Sequence, residues 1–320
     1  MPDTKETTVQ YSVAIAAYNG EEVIRQQIDS ILTQTLPIDE IIICDDNSTD
    51  TTWEILQTLA KEYPIIHIFR NEHNLGFIKN FERALSLCTG EYILLSDQDD
   101  IWPNDHVQAL YNALGEKSLA YGNAECIRKD GSMTGETLIE PSFQLSGDIS
   151  KDFRRYLYVY AQGATMLIRK ELLTKANPFP PNISHDIWLG FTAYVAGKGL
   201  AYTNRTVLYY RRWGQNVSTL AKDTKKVNKT NLRNLLLGGG SVFQKKAKII
   251  EDFIPFAETN HASEILLKEL YDAKRFSTLV GSGKKSVWAI KYFFKNHNEI
   301  FGTTTRKGMF LRFIRYFVLN

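Results

Sequence analysis

The sequence predicts an α/β fold: a mostly parallel, Rossmann-like sheet flanked by helices, followed by a helical extension rich in basic and aromatic residues. Three observations predict it. Short runs of β-branched residues alternate with longer segments whose apolar residues recur at helical spacing. Three of the strand-like runs end in polar clusters, Tyr18-Asn19, Asp45-Asp46 and Asp97-Gln98-Asp99, as strands do where an open α/β sheet binds its ligand. Charge also divides the chain, with a net −9 over residues 1–218 and +11 over residues 219–320.

The elements follow in order. "YSVAIAAYNG" reads as a buried strand that stops at Asn19-Gly20. "EEVIRQQIDSILTQ" places Val23, Ile24, Ile28, Ile31 and Leu32 on one helical face. "EIIICDD" is a second strand, and "NSTDTTWEILQTLAKEY" opens a second helix with Ser, Thr and Asp capping chemistry. "IIHIFR" is the third strand, "FIKNFERALSLC" the third helix and "EYILLSD" the fourth strand. Such alternation requires right-handed crossovers, which leave a mainly parallel sheet covered on both faces.

Residues 118–215 are less regular and read as mixed strands and loops. "AQGATMLIRKELL" reads as a strand turning into a helix, "SHDIWLGFTAYVAG" as a helix beginning near Asp186, and "GLAYTNRTVLYYRRW" is rich in β-formers. The chain then turns polar and basic, which sets an expected boundary near 218. Residues 10–115 form the first half of the expected main domain, 116–218 its second half, and 219–320 the helical extension. Cys44, Cys88 and Cys126 are sparse, odd in number and without CxxC spacing, so a disulfide framework or zinc site is not expected. "MPDTKETTVQ" carries no apolar leader, and no apolar run reaches the roughly 18–20 residues that span a bilayer. The expected location is cytoplasmic, with any contact at the inner face of the membrane peripheral.

The chemistry concentrates at "EYILLSDQDDIW", where Asp97, Asp99 and Asp100 fall within four positions. Clustered carboxylates repel and are costly to desolvate. Two aspartates with one residue between them, just past a buried strand, can chelate a hard cation such as Mg²⁺ or Mn²⁺. The alternative is an acidic turn capping the next helix.

"VAIAAYNGEEVIRQQIDSILTQT", "IIICDDNSTDTT", "NEHNLGF" and "GEYILLSDQDDIW" occur in this order. The set resembles the nucleotide-sugar domain of glycosyltransferase family 2, inverting enzymes of GT-A fold, and covers roughly residues 10–215. The wording "NLGFIKNFERAL" and "SDQDDIW" looks most like the bacterial rhamnosyltransferases of cell-wall and surface polysaccharide synthesis. The resemblance implies a donor site of Ala17, Tyr18, Asn19, Glu22, Asp46, Asn74, Gly76, Asp97 and Gln98. Asp46 would accept a hydrogen bond from a pyrimidine ring N–H, and Asn74 and Gly76 would belong to the loop over the nucleotide. Asp97 would lie near ribose and metal, and Asp99 would bind the Mg²⁺ or Mn²⁺ directly. Other readings remain open from the residues alone: Tyr18 as a core aromatic, Glu22 as a first-turn helix acid, and Asp46 as an N-cap. For Asp50 the capping reading leads, and Asp100 supports the turn.

The resemblance also implies a catalytic base, Asp186 in "ISHDIWLGF", which would deprotonate the acceptor hydroxyl. Gln162, Gly163, His185 and Trp188 would flank the acceptor, although Trp188 also fits a core position. One departure stands out. Where this branch often carries His in "YRxHGxN", this chain has "YYRRWGQNVS" with Trp213, and Arg211 or Arg212 would serve as fixed cations against the diphosphate. His67, His73, His106, His261 and His297 read as structural or surface residues.

The implied partners are a nucleotide-diphosphate sugar, dTDP-L-rhamnose or alternatively a UDP-hexose or UDP-N-acetylhexosamine, and a lipid-linked or growing saccharide. A non-catalytic subunit of a polysaccharide assembly complex is the reading from another class. The tail segments "SVWAIKYFFKNHNEIF" and "KGMFLRFIRYFVLN" fit a membrane interface, packing on the body, or a homodimer contact. No nucleic-acid motif accompanies the basic charge, so nucleic acid is not an expected partner.

Overall fold

The computed structural model describes residues 10–139, 143–158, 161–212, 239–284, 286–301 and 306–318. Trp213 lies outside them. The chain divides into two compact units, Met1–Gln144 with Ala161–Trp213, and Leu145–Tyr160 with Gly214–Asn320. The second unit therefore takes residues 145–160, which the sequence boundary near 218 left in the first. The amphipathic helix in that stretch buries Phe153, Tyr156 and Leu157, and its cation finds its carboxylate among the C-terminal helices, as shown below.

The first unit is built on one eight-stranded sheet. Its strands are β1 (Tyr11–Ala17), β2 (Glu40–Asp45), β3 (Ile66–Arg70), β4 (Tyr92–Ser96), β5 (Leu119–Ile127), β6 (Met133–Thr137), β7 (Met166–Arg169) and β8 (Leu200–Arg211). The order is β3-β2-β1-β4-β7-β5-β6, with β8 on β5. Four helices alternate with the first strands: α1 (Ile24–Leu32), α2 (Thr52–Glu62), α3 (Phe77–Leu87) and α4 (His106–Leu114). The four strands and three helices expected before Asp97 all form. The fully buried β1, in which Val13, Ala14 and Ile15 have no exposed surface, pairs in parallel with β2 and β4. Helix α1 covers the sheet with Ile24, Ile28 and Ile31, one face of a 3.6-residue period.

Beyond β4 the sheet changes character. β7 runs antiparallel to β4, β5 antiparallel to β7 and β6, and β8 parallel to β5. The mainly parallel expectation thus describes the first half and the β5–β8 pair, while β7 and β6 are reversed. This reversal positions the site. Ala17 lies beside Asp45 and Ile15 beside Ser96, so β1, β2 and β4 end at one edge. Reversed β7 begins at that same edge, because Leu94 pairs with Leu167. β5 and β8 return there, with Ile127 beside Arg211. The short helix α6 (Glu171–Ala176) and helix α7 (His185–Val195) complete the unit. All three cysteines are buried, and none is in a disulfide.

The second unit is helical in its described residues. It comprises α5 (Ile149–Tyr158), α8 (Gly239–Thr259), α9 (Glu264–Gly281), α10 (Val287–Lys295), α11 (His297–Phe301) and α12 (Arg306–Phe313), with a wider turn over Ile314–Val318. Its core is aromatic, with Phe243, Phe253, Phe276 and Phe293 buried. Ser263 and Ser286 cap α9 and α10 by accepting from Leu266 N and Ala289 N. Gly281 lets α9 approach α8, since a Cβ there would come within 2.9 Å of the Gln244 backbone N. No described helix is long and apolar enough to cross a membrane.

Within this unit Arg154 meets Glu269 in a two-pronged contact, Nε to Oε2 at 2.7 Å and Nη2 to Oε1 at 2.6 Å. Both side chains are largely buried, at 12% and 5% exposure. Arg154→Met should cost about 3–5 kcal/mol in urea unfolding, because Glu269 is left as a buried lone carboxylate. The double variant Arg154→Met/Glu269→Met should recover most of that loss.

Candidate active site

The edge where β1, β2 and β4 end carries three loops, and hydrogen bonds tie them together. After β1 the chain turns at Asn19, whose φ of +47° lies in the left-handed region that Asn tolerates. Asn19 N donates to Ser48 Oγ at 2.9 Å, and its Oδ1 accepts from Thr49 N at 2.8 Å. Ala17 O accepts from Asp46 N at 2.8 Å. Asn19 and Ala17 therefore hold the β1 loop to the β2 loop. The Tyr18 ring is 45% exposed at the strand end, which rules out the core-aromatic reading. Glu22 is exposed and pairs with Lys129 Nζ at 2.5 Å.

Asp46 is 2% exposed and sits in a cage of donors. Its Oδ1 accepts from Asn71 Nδ2 at 2.6 Å and Leu75 N at 2.8 Å, and its Oδ2 from Gly76 N at 2.9 Å. These bonds link β2 to the "NLGF" loop, so Asp46 does not serve as an N-cap for α2. Asp50, one residue before the N-cap Thr51, instead satisfies a first-turn N–H of α2, accepting from Thr52 N at 3.0 Å. Asn74 Oδ1 also accepts from Gly76 N, at 3.0 Å. Gly76 has φ +81°, with no atom within 4 Å of where a Cβ would stand. Backbone conformation, not space, requires glycine there.

The acidic turn follows β4. Gln98 braces it to β1, its Oε1 accepting from Tyr18 N at 2.8 Å and its Nε2 donating to Tyr18 O at 2.9 Å. Gly20 leaves room for this brace, since a Cβ would lie 2.5 Å from Gln98 Oε1. Gln98 thus acts as a strut, whereas the resemblance implied donor contact. Burial pushes the Asp97 carboxyl up to about 7, with the charges of Asp99 and Asp186 adding to the rise. Asp100 is 1% exposed and is pushed up by burial and by Asp99 and Asp97. Its Oδ1 accepts from Arg211 N at 2.9 Å, the turn-supporting part expected of it.

Arg211 corrects the sequence reading. It is 2% exposed. Its Nε donates to Asp99 O at 2.8 Å, its Nη1 to Lys129 O at 2.5 Å and its Nη2 to Gln26 Oε1 at 2.5 Å. The guanidinium is committed to protein oxygens behind the acidic turn and is not presented as a diphosphate clamp. Arg212 donates N–H to Ile127 O and pairs with Glu136. It too is engaged by protein.

β7 brings the residues expected on the acceptor side to this edge. Gln162 O caps the short turn Gly163–Thr165 by accepting from Thr165 N and Oγ1. A Cβ on Gly163 would stand 2.7 Å from His185 Nε2 and 3.4 Å from Asp186 Cβ, so only glycine admits that approach. His185 stacks on Phe81 of α3 at 3.9 Å, and burial lowers its pKa while Asp186 opposes the shift. Asp186 opens α7; its Oδ1 accepts from Ser184 Oγ and from Ile187 N at 2.8 Å. Trp188 is 4% exposed, and its Nε1 donates to Ala176 O at 2.6 Å. Its ring belongs to the α6–α7 core, which overturns its reading as a platform for an acceptor sugar.

The structure therefore brings Asp99 and, across about ninety residues of chain, Asp186 within electrostatic reach of Asp97. Among the described residues no group of three or more His, Cys, Asp and Glu is placed to hold a metal ion by itself. Asp97 and Asp99 offer hard oxygen donors in a locality where negative charge resists ionisation, which fits a divalent cation sharing its shell with other oxygens. His106 reads correctly as structural: it stacks on Trp102 at 3.7 Å, and burial lowers its pKa to about 3. The Arg211 and Phe81 supports have no signal in the sequence.

Two outcomes follow from this geometry. Asp97 ionises less readily in the folded chain than in the unfolded one, so its contribution to stability is greatest below about pH 4 and falls as pH rises to about 7. In chelator-treated protein Asp97→Asn should gain about 2–4 kcal/mol in urea unfolding at about pH 8 and almost nothing near pH 4. Gly163→Ala should cost about 1–3 kcal/mol in the same measurement by forcing His185 off Phe81.

The profile of Glycosyl transferase family 2 matches residues 12–175. An uncharacterized glycosyltransferase of Haemophilus influenzae is 26% identical over 95% of this chain and 96% of its own length. The Escherichia coli UDP-Glc:alpha-D-GlcNAc-diphosphoundecaprenol beta-1,3-glucosyltransferase WfaP is 29% identical over 65% of this chain and 79% of its own. Among solved structures, that of S. aureus TarS 1-349 in complex with UDP-GlcNAc superposes with a TM-score of 0.59 at 17% identity, over 91% of this chain and 82% of that one. That likeness shares the mixed sheet, its flanking helices and a GT-A-like arrangement. With more than half of its length matched and its polar strand ends gathered at one edge, the chain belongs to glycosyltransferase family 2.

Proposed function

We propose that this protein is an inverting glycosyltransferase of bacterial polysaccharide synthesis that uses a pyrimidine nucleotide-diphosphate sugar, with Asp186 as the base. The observation that carries the reading is the convergence of Asp97, Asp99 and Asp186 at the carboxyl edge of the sheet. The nucleoside would pack at Ala17, Tyr18 and Asn19, under the loop of Asn74 and Gly76. Asp46, which holds that loop to the end of β2, would accept from the pyrimidine ring N–H.

Asp97 and Asp99 would hold the Mg²⁺ or Mn²⁺, which when bound supplies positive charge against the leaving diphosphate. The chain's own residues do the rest. Asp186 takes the proton of the acceptor hydroxyl as that oxygen bonds to the anomeric carbon; the bond to the diphosphate oxygen breaks on the opposite face and its electron pair leaves with the diphosphate. Ser184 and Ile187 hold Asp186 Oδ1 and so fix the carboxylate plane. His185, neutral because burial lowers its pKa, fixes the start of α7 against Phe81 without adding a charge. Gln162 and Gly163 shape the acceptor side.

The wording of "NLGFIKNFERAL" and "SDQDDIW" favours dTDP-L-rhamnose as donor. A second reading, a UDP-hexose or UDP-N-acetylhexosamine, is favoured by the E. coli relative, whose name specifies UDP-Glc. The same relative supports a lipid-linked saccharide as acceptor. Thermal shift against dTDP, UDP and GDP sugars with Mg²⁺ or Mn²⁺ separates these donors, since the cognate one at a hundred times its Kd should add about 2.7 kcal/mol. Asp186→Asn should lower the transfer rate about 10²–10⁴-fold while donor Kd stays within about threefold. Undiminished transfer in that variant would reject Asp186 as the base.

A further inference from the structure

The face of α10 opposite the aromatic core carries Val287, 70% exposed, and Phe294, 45% exposed. They stand seven residues apart, on one line of the helix. Ala289, Tyr292 and Phe293 on the other face are buried. Lys291 and Lys295 are exposed beside the apolar line, and Ile290 is half-buried at its flank. The apolar surface continues into α12. The Phe294 ring lies 5.2 Å from that of Phe313, and Phe310, one turn earlier, is 59% exposed. Large apolar side chains grouped on adjoining helices differ from the single ones scattered over ordinary surfaces. The sequence of this region is basic: residues 282–320 hold eight Lys and Arg and one acid, Glu299.

We propose that this face docks the protein on an anionic lipid bilayer, with Val287, Phe294 and Phe310 entering the acyl boundary and Lys291 and Lys295 on the headgroups. Charge complementarity selects this occupant. A second copy meeting the same face about a two-fold axis would set these cations against themselves. A nucleic acid would match the cations but would offer Val287 no apolar phase. With no described helix able to cross a membrane, the contact is interfacial. The proposal goes beyond the transfer reaction and does not depend on it.

The test is co-sedimentation of the full chain with vesicles of phosphatidylglycerol and phosphatidylcholine against phosphatidylcholine alone, at low and high salt. Partition should be about tenfold stronger on the anionic vesicles and should weaken with salt. Phe294→Glu and Val287→Glu should each lower it about tenfold. The Lys291→Glu/Lys295→Glu pair should remove the preference for anionic lipid. Far-UV circular dichroism should be unchanged in all of these variants, and Tm unchanged in the Val287 and Lys variants, whose side chains pack on no described ring. Equal partition of Phe294→Glu and the parent chain overturns the proposal. So does failure of the parent chain to bind anionic vesicles, whether or not it forms a dimer or binds a single-stranded oligonucleotide instead. Donor binding in the thermal shift assay reads the first unit separately, so the two readings fail independently.

Discussion

Arg211 and Asp100 form the junction on which the candidate site rests. Both are buried, and the Asp100 carboxylate accepts from the Arg211 backbone N–H at 2.9 Å. The guanidinium then reaches Asp99 O, Lys129 O and Gln26 Oε1, three points on three different segments. A buried cation is tolerated only when its donors are satisfied, so the contacts are mutually dependent. Together they fix the end of β8, the start of α1 and the acidic turn as one body. The turn can then carry Asp97 and Asp99 at a defined place although like charges oppose one another there.

In the proposed mechanism the opposing charge is also what makes the place useful. A solvated acidic turn would ionise without cost and have little use for a cation. Here burial raises Asp97, and Asp99 and Asp186 raise it further. The free energy withheld from the carboxylates becomes available when positive charge arrives. The same edge holds Asp46 in a different state. Three donors surround it and tie it to the loop it closes. Two aspartates past the strands that flank β1 thus have different parts, set by whether protein donors or other carboxylates face them.

Glycine makes the second convergence. Gly163 stands where a methyl group would strike His185 Nε2, and it is the first residue of the turn that feeds reversed β7. Without the antiparallel β4–β7 pairing that turn would begin at the opposite edge. The relation between Asp186 and Asp97 therefore depends on strand direction as much as on either residue. The second unit has its own logic, with an aromatic interior, one satisfied buried ion pair and a basic outer face.

The local elements were legible in the sequence because they follow from periodicity. Alternating apolar strands and helical stripes placed β1 to β4 and α1 to α3, and the ordered motifs identified the family and the residues at each strand end. Asp50 was also legible, since an aspartate that satisfies a first-turn N–H acts within its own turn. What tertiary structure alone decided lies at long range. Arg211 looked like a cation free to meet a diphosphate, but its partners lie as many as 185 residues away and nothing local encodes them. Trp188 looked equally suited to a sugar face or a core, and only the Ala176 carbonyl beyond its indole N–H settled it. Gln98 fitted a ligand as well as it fits the Tyr18 backbone. Residues 145–160 lie beside the first unit in sequence, yet Arg154 meets its carboxylate at Glu269. A residue's type states which bonds it can make, and periodicity states which way it faces. Which distant group occupies those bonds is determined only when the chain has closed around them.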